Sequence, residues 1–209
     1  MLGLDTSSPA VSAALVEVTA AGCAPVRESV VVDGRRHGEL LAVGVAAVLA
    51  GARPDAVVVG TGPGPFTGLR VGLVTAAAMS DALGVPAYGV CSLDGFVADG
   101  VVVTDARRRE VYWARYAAGV RVEGPAVVAP AVLAAALPPG SVLVGAGSVL
   151  HAAAFEGLRV GGPLHVSVLR LVEVAAGQLL AGAPADPLTP RYLRRPDAVE
   201  PGATKRVTA

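Results

Sequence analysis

Residues 57–72 read Val-Val-Val-Gly-Thr-Gly-Pro-Gly-Pro-Phe-Thr-Gly-Leu-Arg-Val-Gly, and this stretch decides the fold. Three successive valines are typical of a strand that is buried on both faces. The glycines that follow permit backbone angles that other residues resist, and two prolines fix φ, so we expect a stiff loop. Thr67 is the predicted N-cap of an apolar helix over about 69–83. The stretch therefore predicts a strand, a rigid turn and a helix start.

The same loop is a candidate anion site, because free backbone amides at a helix start attract negative charge. On this interpretation Gly62, Gly64 and Thr67 contact a phosphate. Arg70 follows in the predicted first helical turn, where the helix dipole disfavours a cation, so we expect an anionic partner for it. The alternative is a tight turn that binds no ligand. The loop is not a P-loop, because no Gly-Lys-Ser/Thr follows it.

Composition limits the remaining possibilities. The chain has 209 residues, of which 53% are hydrophobic and 16% charged, and its formal net charge is zero. A large core is thus expected, and global charge does not favour binding to nucleic acid or membranes. The two cysteines do not suggest a disulfide framework, so a reducing, cytoplasmic location is expected. No signal peptide is recognised, and prolines divide the uncharged stretch 124–155 into pieces too short to span a bilayer.

Strand and helix patterns alternate along the chain, which predicts an α/β protein with a mixed sheet in each half. Predicted strands are 1–5, 10–18, 24–32, 57–59, 85–90, 101–105, 111–116, 121–128 and 141–145, and predicted helices are 36–51, 69–83, 130–137 and 166–181, with short helical pieces at 92–99 and before Phe155. Each half begins with an apolar strand that ends in aspartate. We therefore predict an N-terminal lobe (1–99), a C-terminal lobe (100–194) whose end packs back through Tyr192 and Leu193, and a disordered tail (195–209).

The two long helices of the first half carry more apolar surface than one sheet covers. Helix 36–51 is apolar on nearly every face, and small residues repeat every four positions on helix 69–83. Ordinary core packing is one explanation, and an exposed patch that binds a partner is the other. The predicted partner-binding residues are His37, Leu40, Leu41, Gly44, Val45, Val48, Gly68, Leu69, Gly72, Ala76 and Met79.

Other segments lie where a two-lobed nucleotide-binding fold would hold phosphate. Asp5, Thr6 and Ser7 follow the first strand, and Gly145 and Gly147 follow a strand of the second half, so these residues are further candidate nucleotide contacts. The stretch 105–107 is a third such position but has no glycine. The three arginines 107–109, with aromatic residues nearby, are either a solvated corner or an RNA contact. The histidines lack metal-ligand spacing, so no metal site is predicted.

Several segments, in order along nearly the whole chain, resemble the TsaB (YeaZ) family. The resemblance rests on 4–7 (LDTS), 36–37 (RH), 62–72 (GPGPFTGLRVG), 103–107 (VTDAR), 110–112 (EVY) and 190–194 (PRYLR). The family pattern has serine where this chain has Pro65, which removes one hydroxyl and one amide from the loop. The resemblance implies a two-lobed actin/Hsp70-like (ASKHA, ribonuclease-H-like) fold with a mixed central sheet in each lobe.

The resemblance also implies a function. Such proteins are non-catalytic subunits of the machinery that makes threonylcarbamoyladenosine at position 37 of tRNAs. They pair with a catalytic paralogue, TsaD, through the two N-lobe helices, and they work with the ATPase TsaE and, through the complex, with tRNA. The paralogues carry two metal-binding histidines on one helix, and we place Ser92 and Phe96 at the corresponding positions, where neither is an adequate ligand.

We therefore expect a scaffold that requires no cofactor and at which any ATP or ADP binds weakly or at a shared interface. The sequence leaves open whether nucleotide binds at all and whether the isolated chain is a monomer or a homodimer. The main alternative is a stand-alone small-molecule kinase or nucleotide-binding protein of the same fold. A peptidase has less support, because the chain has neither paired metal ligands nor a nucleophile elbow. A direct tRNA-binding module is the remaining alternative, and it would rest on the arginines 107–109.

Overall fold

The computed structural model describes residues 1–96, 99–185 and 187–194, which form two five-stranded mixed sheets. The first sheet contains β1 (Leu2–Asp5), β2 (Ala10–Thr19), β3 (Gly22–Val32), β4 (Val57–Gly60) and β5 (Ala87–Val90), in the order β3-β2-β1-β4-β5. The second contains β6 (Gly100–Asp105), β7 (Val111–Ala117), β8 (Val120–Val128), β9 (Val142–Val144) and β10 (Arg159–Val160), in the order β10-β9-β6-β7-β8.

The two sheets have the same topology. In each, the first three strands form an antiparallel meander, and two further strands add in parallel beside the first strand. Parallel addition requires a crossover, and α2 supplies it between β4 and β5. The prediction of an α/β protein with two similar halves, each built around a mixed sheet, is confirmed.

Five helices and two 3₁₀ turns complete the described part of the chain. The helices are α1 (His37–Leu49), α2 (Phe66–Leu83), α3 (Pro130–Ala136), α4 (Ala146–Leu150) and α5 (Val168–Leu180), and the 3₁₀ turns are Ser92–Gly95 and Ala152–Phe155. No helix in the described ranges is both long and apolar enough to cross a bilayer.

The first sheet is covered on both faces. Alternate side chains of its central strands, among them Leu4 and Val59, pack against α1 and α2 on one face. The neighbouring Val58 points to the other face, where it joins a core that includes Leu171 and Val172 of α5. Helix α5 was assigned to the second lobe (100–194), and its position corrects that assignment, because its apolar stripe covers the otherwise bare face of the first sheet.

Several predicted boundaries are wrong in informative ways. Helix α2 begins at Phe66, and Pro65 occupies the N-cap position without a side-chain cap, so Thr67 is not the N-cap. The helical piece predicted over 92–99 is a 3₁₀ turn over Ser92–Gly95, and Val97 and Ala98 lie outside the described residues. The two-residue strand β10 was not predicted. The tail 195–209 also lies outside the described residues, so its predicted disorder stays a prediction.

The small-residue stripe on α2 faces the chain's own turn after β1. A Cβ on Gly68 would lie 2.6 Å from the Thr6 carbonyl oxygen, and a Cβ on Gly72 would lie 2.5 Å from the Thr6 hydroxyl oxygen. These glycines let α2 approach β1 closely. Of the two explanations for the stripe, packing within the chain is the one that these contacts support.

We expect Gly68→Ala to destabilise the protein by about 1–3 kcal/mol, because the new methyl group meets backbone that cannot move aside easily. Gly38→Ala is the matched control, since Gly38 lies in the first turn of α1 with open space around its Cα. That control is expected to be neutral or to stabilise by up to about 1 kcal/mol. Urea unfolding of both variants measures the difference, and equal effects would contradict this account of the stripe.

Candidate functional site

The turn after β1 is organised by the carboxylate of Asp5, which is fully buried. Its Oδ1 accepts hydrogen bonds from the Ser7 amide (3.0 Å) and the Ser7 hydroxyl (2.8 Å). Its Oδ2 accepts one from the Ser92 hydroxyl at 2.7 Å, and the same Ser92 oxygen accepts from the Gly62 amide at 3.0 Å. The carboxylate thus joins three separate segments of the chain.

Burial raises the pKa of Asp5, because the charged form loses its contact with water. The hydroxyl and amide donors of Ser92 and Ser7 oppose this shift, and so does the nearby His37, but burial is the largest influence. Asp5 is therefore a structural carboxyl group that is held inside the fold.

Thr6 anchors the start of α2. Its hydroxyl donates to the Gly68 carbonyl oxygen at 2.7 Å and accepts from the Gly72 amide at 3.1 Å. Gly64 lies against the Ser7 carbonyl, where no side chain fits, and Gly62 is buried with φ +92°. The predicted phosphate contacts at Asp5, Thr6 and Ser7 are corrected, because these groups bind the protein's own turns. Gly62 and Gly64 serve the same close packing.

Gly145 and Gly147 also have a packing role. A side chain on Gly145 would overlap the Val103 carbonyl, and a Cβ on Gly147 would lie 2.8–3.0 Å from the backbone of Thr104. These glycines allow α4 to lie directly on β6. The close approach of a neighbouring strand therefore explains why both positions are glycine, and the predicted nucleotide contact stays a prediction.

Arg70 has an aromatic partner. Its guanidinium carbon lies 3.9 Å from the centroid of the Phe66 ring, and its Nε donates to the Tyr192 hydroxyl at 3.4 Å. Phe66 and Tyr192 also contact each other, with ring centroids 4.8 Å apart. Because α2 begins at Phe66, Arg70 lies beyond its first turn, and the dipole argument for an anionic partner does not hold. Tyr192 does pack back on the protein, as predicted.

The residues predicted to bind a partner are not the ones that α1 and α2 expose. Most of the predicted residues are buried within the chain, namely Leu41, Gly44, Val45, Val48, Gly68, Leu69, Gly72 and Ala76. Leu40 and Met79 are half-buried against the same core, and His37 Nε2 donates to the Ser8 carbonyl at 3.0 Å. The assignment of the buried residues to a partner is corrected, because they support the helices from the sheet side.

Sequence reasoning missed the side chains that the two helices expose. Val43 on α1 is 69% exposed and Val74 on α2 is 66% exposed, beside exposed alanines on both helices. Their positions follow from the 3.6-residue period, since they lie opposite the buried face. The hydrophobic periodicity that marks these positions is weak in the sequence, because valine occupies both the buried and the exposed face of α1 and alanine occupies both faces of α2.

The arginines 107–109 form a left-handed turn. All three have positive φ, at 62°, 52° and 61°, which costs roughly 1–2 kcal/mol per residue for a non-glycine residue. The Arg107 amide donates to Oδ1 of Asp105 at 2.8 Å. Arg194 donates to the Ala106 carbonyl at 2.7 Å and also forms an ion pair with Glu110. The nearby Tyr112 is buried, so it offers no ring for base stacking.

Ser92 and Phe96, which we place at the metal-binding positions of the catalytic paralogue, both make structural contacts within this chain. Ser92 bonds to Asp5 and Gly62, as described above, and Phe96 is buried in the core between the sheets. Among the described residues, no group of histidine, cysteine and acidic side chains is arranged to hold a metal ion.

The chain is similar in sequence to a known family and to proteins of two mycobacteria. A sequence model of the family described as TsaD, tRNA N6-adenosine threonylcarbamoyltransferase, matches residues 32–155, more than half of the chain. An uncharacterized protein of Mycobacterium tuberculosis is 50% identical, with 95% of this chain and 93% of that protein aligned. An uncharacterized protein of Mycobacterium leprae is 47% identical, and the alignment covers 95% of this chain and 55% of that protein.

Two solved structures have the same architecture. A Pseudomonas aeruginosa protein described as similar to peptidase YeaZ superposes with a TM-score of 0.72 at 26% identity, covering 92% of this chain and 98% of that one. YeaZ from Pseudomonas aeruginosa superposes with a TM-score of 0.73 at 24% identity, covering 91% and 99%.

The repeated sheet topology and these superpositions define a two-lobed α/β protein of the ASKHA type. Together with the family match and the similarity to YeaZ, they identify its family: the chain belongs to the TsaB (YeaZ) family.

Replacing the buried carboxyl group should change how stability depends on pH. The folded pKa of Asp5 is raised above its unfolded value of about 3.9, so its contribution is full below that pH and is lost as pH rises through the folded pKa. The free energy of unfolding of the wild type, minus that of Asp5→Asn, is therefore expected to decrease as the pH rises from about 4 through the raised pKa of Asp5. Denaturant titrations at several pH values measure it.

Asp33→Asn is a control for which stability should depend on pH in the opposite direction. The Arg35 amide and the Arg36 side chain lower the pKa of Asp33, so its contribution is present above its unfolded pKa and lost as pH falls through the folded value. If the Asp5 difference instead grew with rising pH, the proposed effect of burial would be wrong.

Proposed function

We propose that this protein is a non-catalytic partner subunit of the machinery for tRNA N6-threonylcarbamoyladenosine synthesis. In this role it binds a catalytic TsaD-type paralogue through the outer faces of α1 and α2, and it reaches TsaE and tRNA through the complex. The observation that carries the proposal is the pair of exposed valines, Val43 and Val74, on neighbouring helices of the first sheet.

The composition of these faces suits a helical partner. Val43 is flanked by exposed Ala46 and Ala47, and Val74 by exposed Ala77 and Ala78. Such short side chains allow a second helix to approach closely, and burying each valine contributes about 1.5–3 kcal/mol. Both helices lie on the same face of the sheet and contact each other, so a partner can cover them together.

The interior of the site supports a non-catalytic role. Ser92 is engaged with Asp5 and Gly62, and Phe96 fills the core, so the positions that correspond to the paralogue's metal-binding histidines serve the stability of the fold. The glycines at 64, 145 and 147 admit the protein's own backbone at the places where a kinase of this fold would admit phosphate. These contacts favour the scaffold over the kinase alternative.

Charge on the outer faces should prevent the complex from forming. We expect Val43→Glu and Val74→Glu each to weaken binding of the TsaD-type paralogue from the same organism by about thirtyfold or more, because a buried unpaired carboxylate replaces an apolar contact. Co-expression and co-purification, followed by calorimetric titration of the two purified proteins, measure the effect.

Val132→Glu is the matched control, since Val132 lies on α3 of the other half and is 59% exposed. It should bind like the wild type, and all three variants should unfold at similar temperatures because the substituted positions are exposed. Unchanged binding by both helix variants would refute the proposed interface. Sedimentation of the isolated chain, with and without these substitutions, tests whether a homodimer uses the same faces.

A further inference from the structure

A cleft between the two halves collects exposed aliphatic side chains. It has a volume of about 440 Å³, and Val32 on one side faces Val149, Leu150 and Leu164 on the other. All four of these side chains are substantially exposed, although they are among the most apolar in the chain. Exposed apolar side chains that converge on one concave surface are typical of a binding site.

The cleft continues into a smaller basic chamber. This second cavity, of about 240 Å³, shares Ser8, Pro9, Pro65 and Arg107 with the first. Its own lining adds two basic residues, Arg35 and His37, and the hydroxyl of Thr67. The continuous space, which we call the interlobe cleft, is therefore apolar at one end and positively charged at the other.

Arg107 stands at the junction of the two chambers. Its left-handed backbone is held by Asp105, whose Oδ1 accepts from the Arg107 amide at 2.8 Å and whose Oδ2 lies 3.6 Å from its Nε. Asp105 also lines the apolar chamber, and its charge offsets part of that of Arg107. Because the ion pair is long and Arg107 is well exposed, the guanidinium retains donors for a second anion.

A buried nitrogen adds a second polar feature to the apolar chamber. His165 is half-buried in the cleft wall, and its Nδ1 finds no hydrogen-bond partner among the residues that the structure describes. A buried polar atom without a partner is costly, and a polar group of a bound ligand is one way to satisfy it after a small rotation of the ring.

We propose that the interlobe cleft binds a small anionic amphiphile, with its apolar body against Val149, Leu150 and Leu164 and its anionic head at Arg107. The combined volume lies in the range of small-molecule sites. The site is concave and lies between the lobes, so a small molecule fits it better than a protein surface. This inference does not depend on the proposed function.

The composition of the cleft favours an apolar body over a chain of phosphates. Its larger chamber is walled by aliphatic side chains, and the glycines that could bring amides to a phosphate are packed on the chain's own backbone. One anionic group is enough to occupy Arg107 and the basic chamber beside it.

Octanoate and octanol are suitable probes, because they share an eight-carbon chain and differ in head-group charge. Isothermal titration calorimetry on the full chain should show that octanoate binds and that octanol binds more weakly. Arg107→Gln is expected to weaken octanoate binding about tenfold or more, since a charge-assisted hydrogen bond is lost, and to leave octanol unchanged. Arg109→Gln is the matched control, because Arg109 has nearly the same φ but does not line the cleft.

A second pair of variants tests the apolar chamber. Leu150→Asp should abolish octanoate binding, whereas Leu180→Asp, at a similarly exposed position on α5, should leave it unchanged. Thermal unfolding of all four variants establishes that they are folded. Failure of octanoate to bind at millimolar concentration would overturn the proposal, as would equal losses in Arg107→Gln and Arg109→Gln. Binding of ADP without binding of octanoate would overturn it too, because phosphate would then define the ligand.

Discussion

The fold depends on one buried carboxyl group, that of Asp5. A carboxyl group without access to water must find donors inside the protein, and Asp5 finds them on Ser7 and Ser92. Ser92 in turn fixes the Gly62 amide, so the glycine-proline loop is tied to β1 and to the 3₁₀ turn at once. Gly60 lacks a side chain because the Asp5 carboxyl occupies that space. One glycine of the loop thus follows from this interior group, whereas Gly64 is required by the Ser7 backbone.

The sequence was sufficient to predict nine of the ten described strands, the alternation of strands and helices, the two similar halves and the family. Those features arise from local hydrophobic patterns or from motifs that span the chain. The purpose of the glycines was not predictable in this way, because the same absence of a Cβ admits either a ligand or the protein's own backbone. At Gly64 and Gly147 the structure shows the second case. The positions of Ser7 beside Gly64 and of Thr104 beside Gly147 are known only from the structure, so the sequence could not distinguish a ligand contact from internal packing.

Long-range contacts account for the other errors. Arg70 was expected to need an anion, yet it stacks on Phe66 and bonds to Tyr192, a residue far along the chain. The partner faces of α1 and α2 were predicted to exist, but the wrong side chains were chosen. A helix composed mainly of alanine, valine, leucine and glycine has little hydrophobic asymmetry, so the periodicity that separates the buried Val45 from the exposed Val43 is faint.

The C-terminal strap, residues 187–194, connects the regions that carry the two proposals. Arg191 bonds to the backbone and hydroxyl of Thr61, Tyr192 packs on Phe66 at the start of α2, and Arg194 holds the left-handed turn through Ala106 and Glu110. The strap thus joins the helix that offers a partner surface to the turn that places Arg107 in the interlobe cleft.

This connection gives the strain in the arginine turn a physical explanation. Successive left-handed residues persist only where their surroundings fix them, and here Asp105 fixes the turn from one side while Arg194 fixes it from the other. Arg194 follows Tyr192 by two residues, so the ring contact with Phe66 and the bond to Ala106 belong to one short stretch of chain. Tyr192 and Arg194 therefore hold the start of α2 and the arginine turn from opposite ends of the same short segment, which is why both conformations are fixed together.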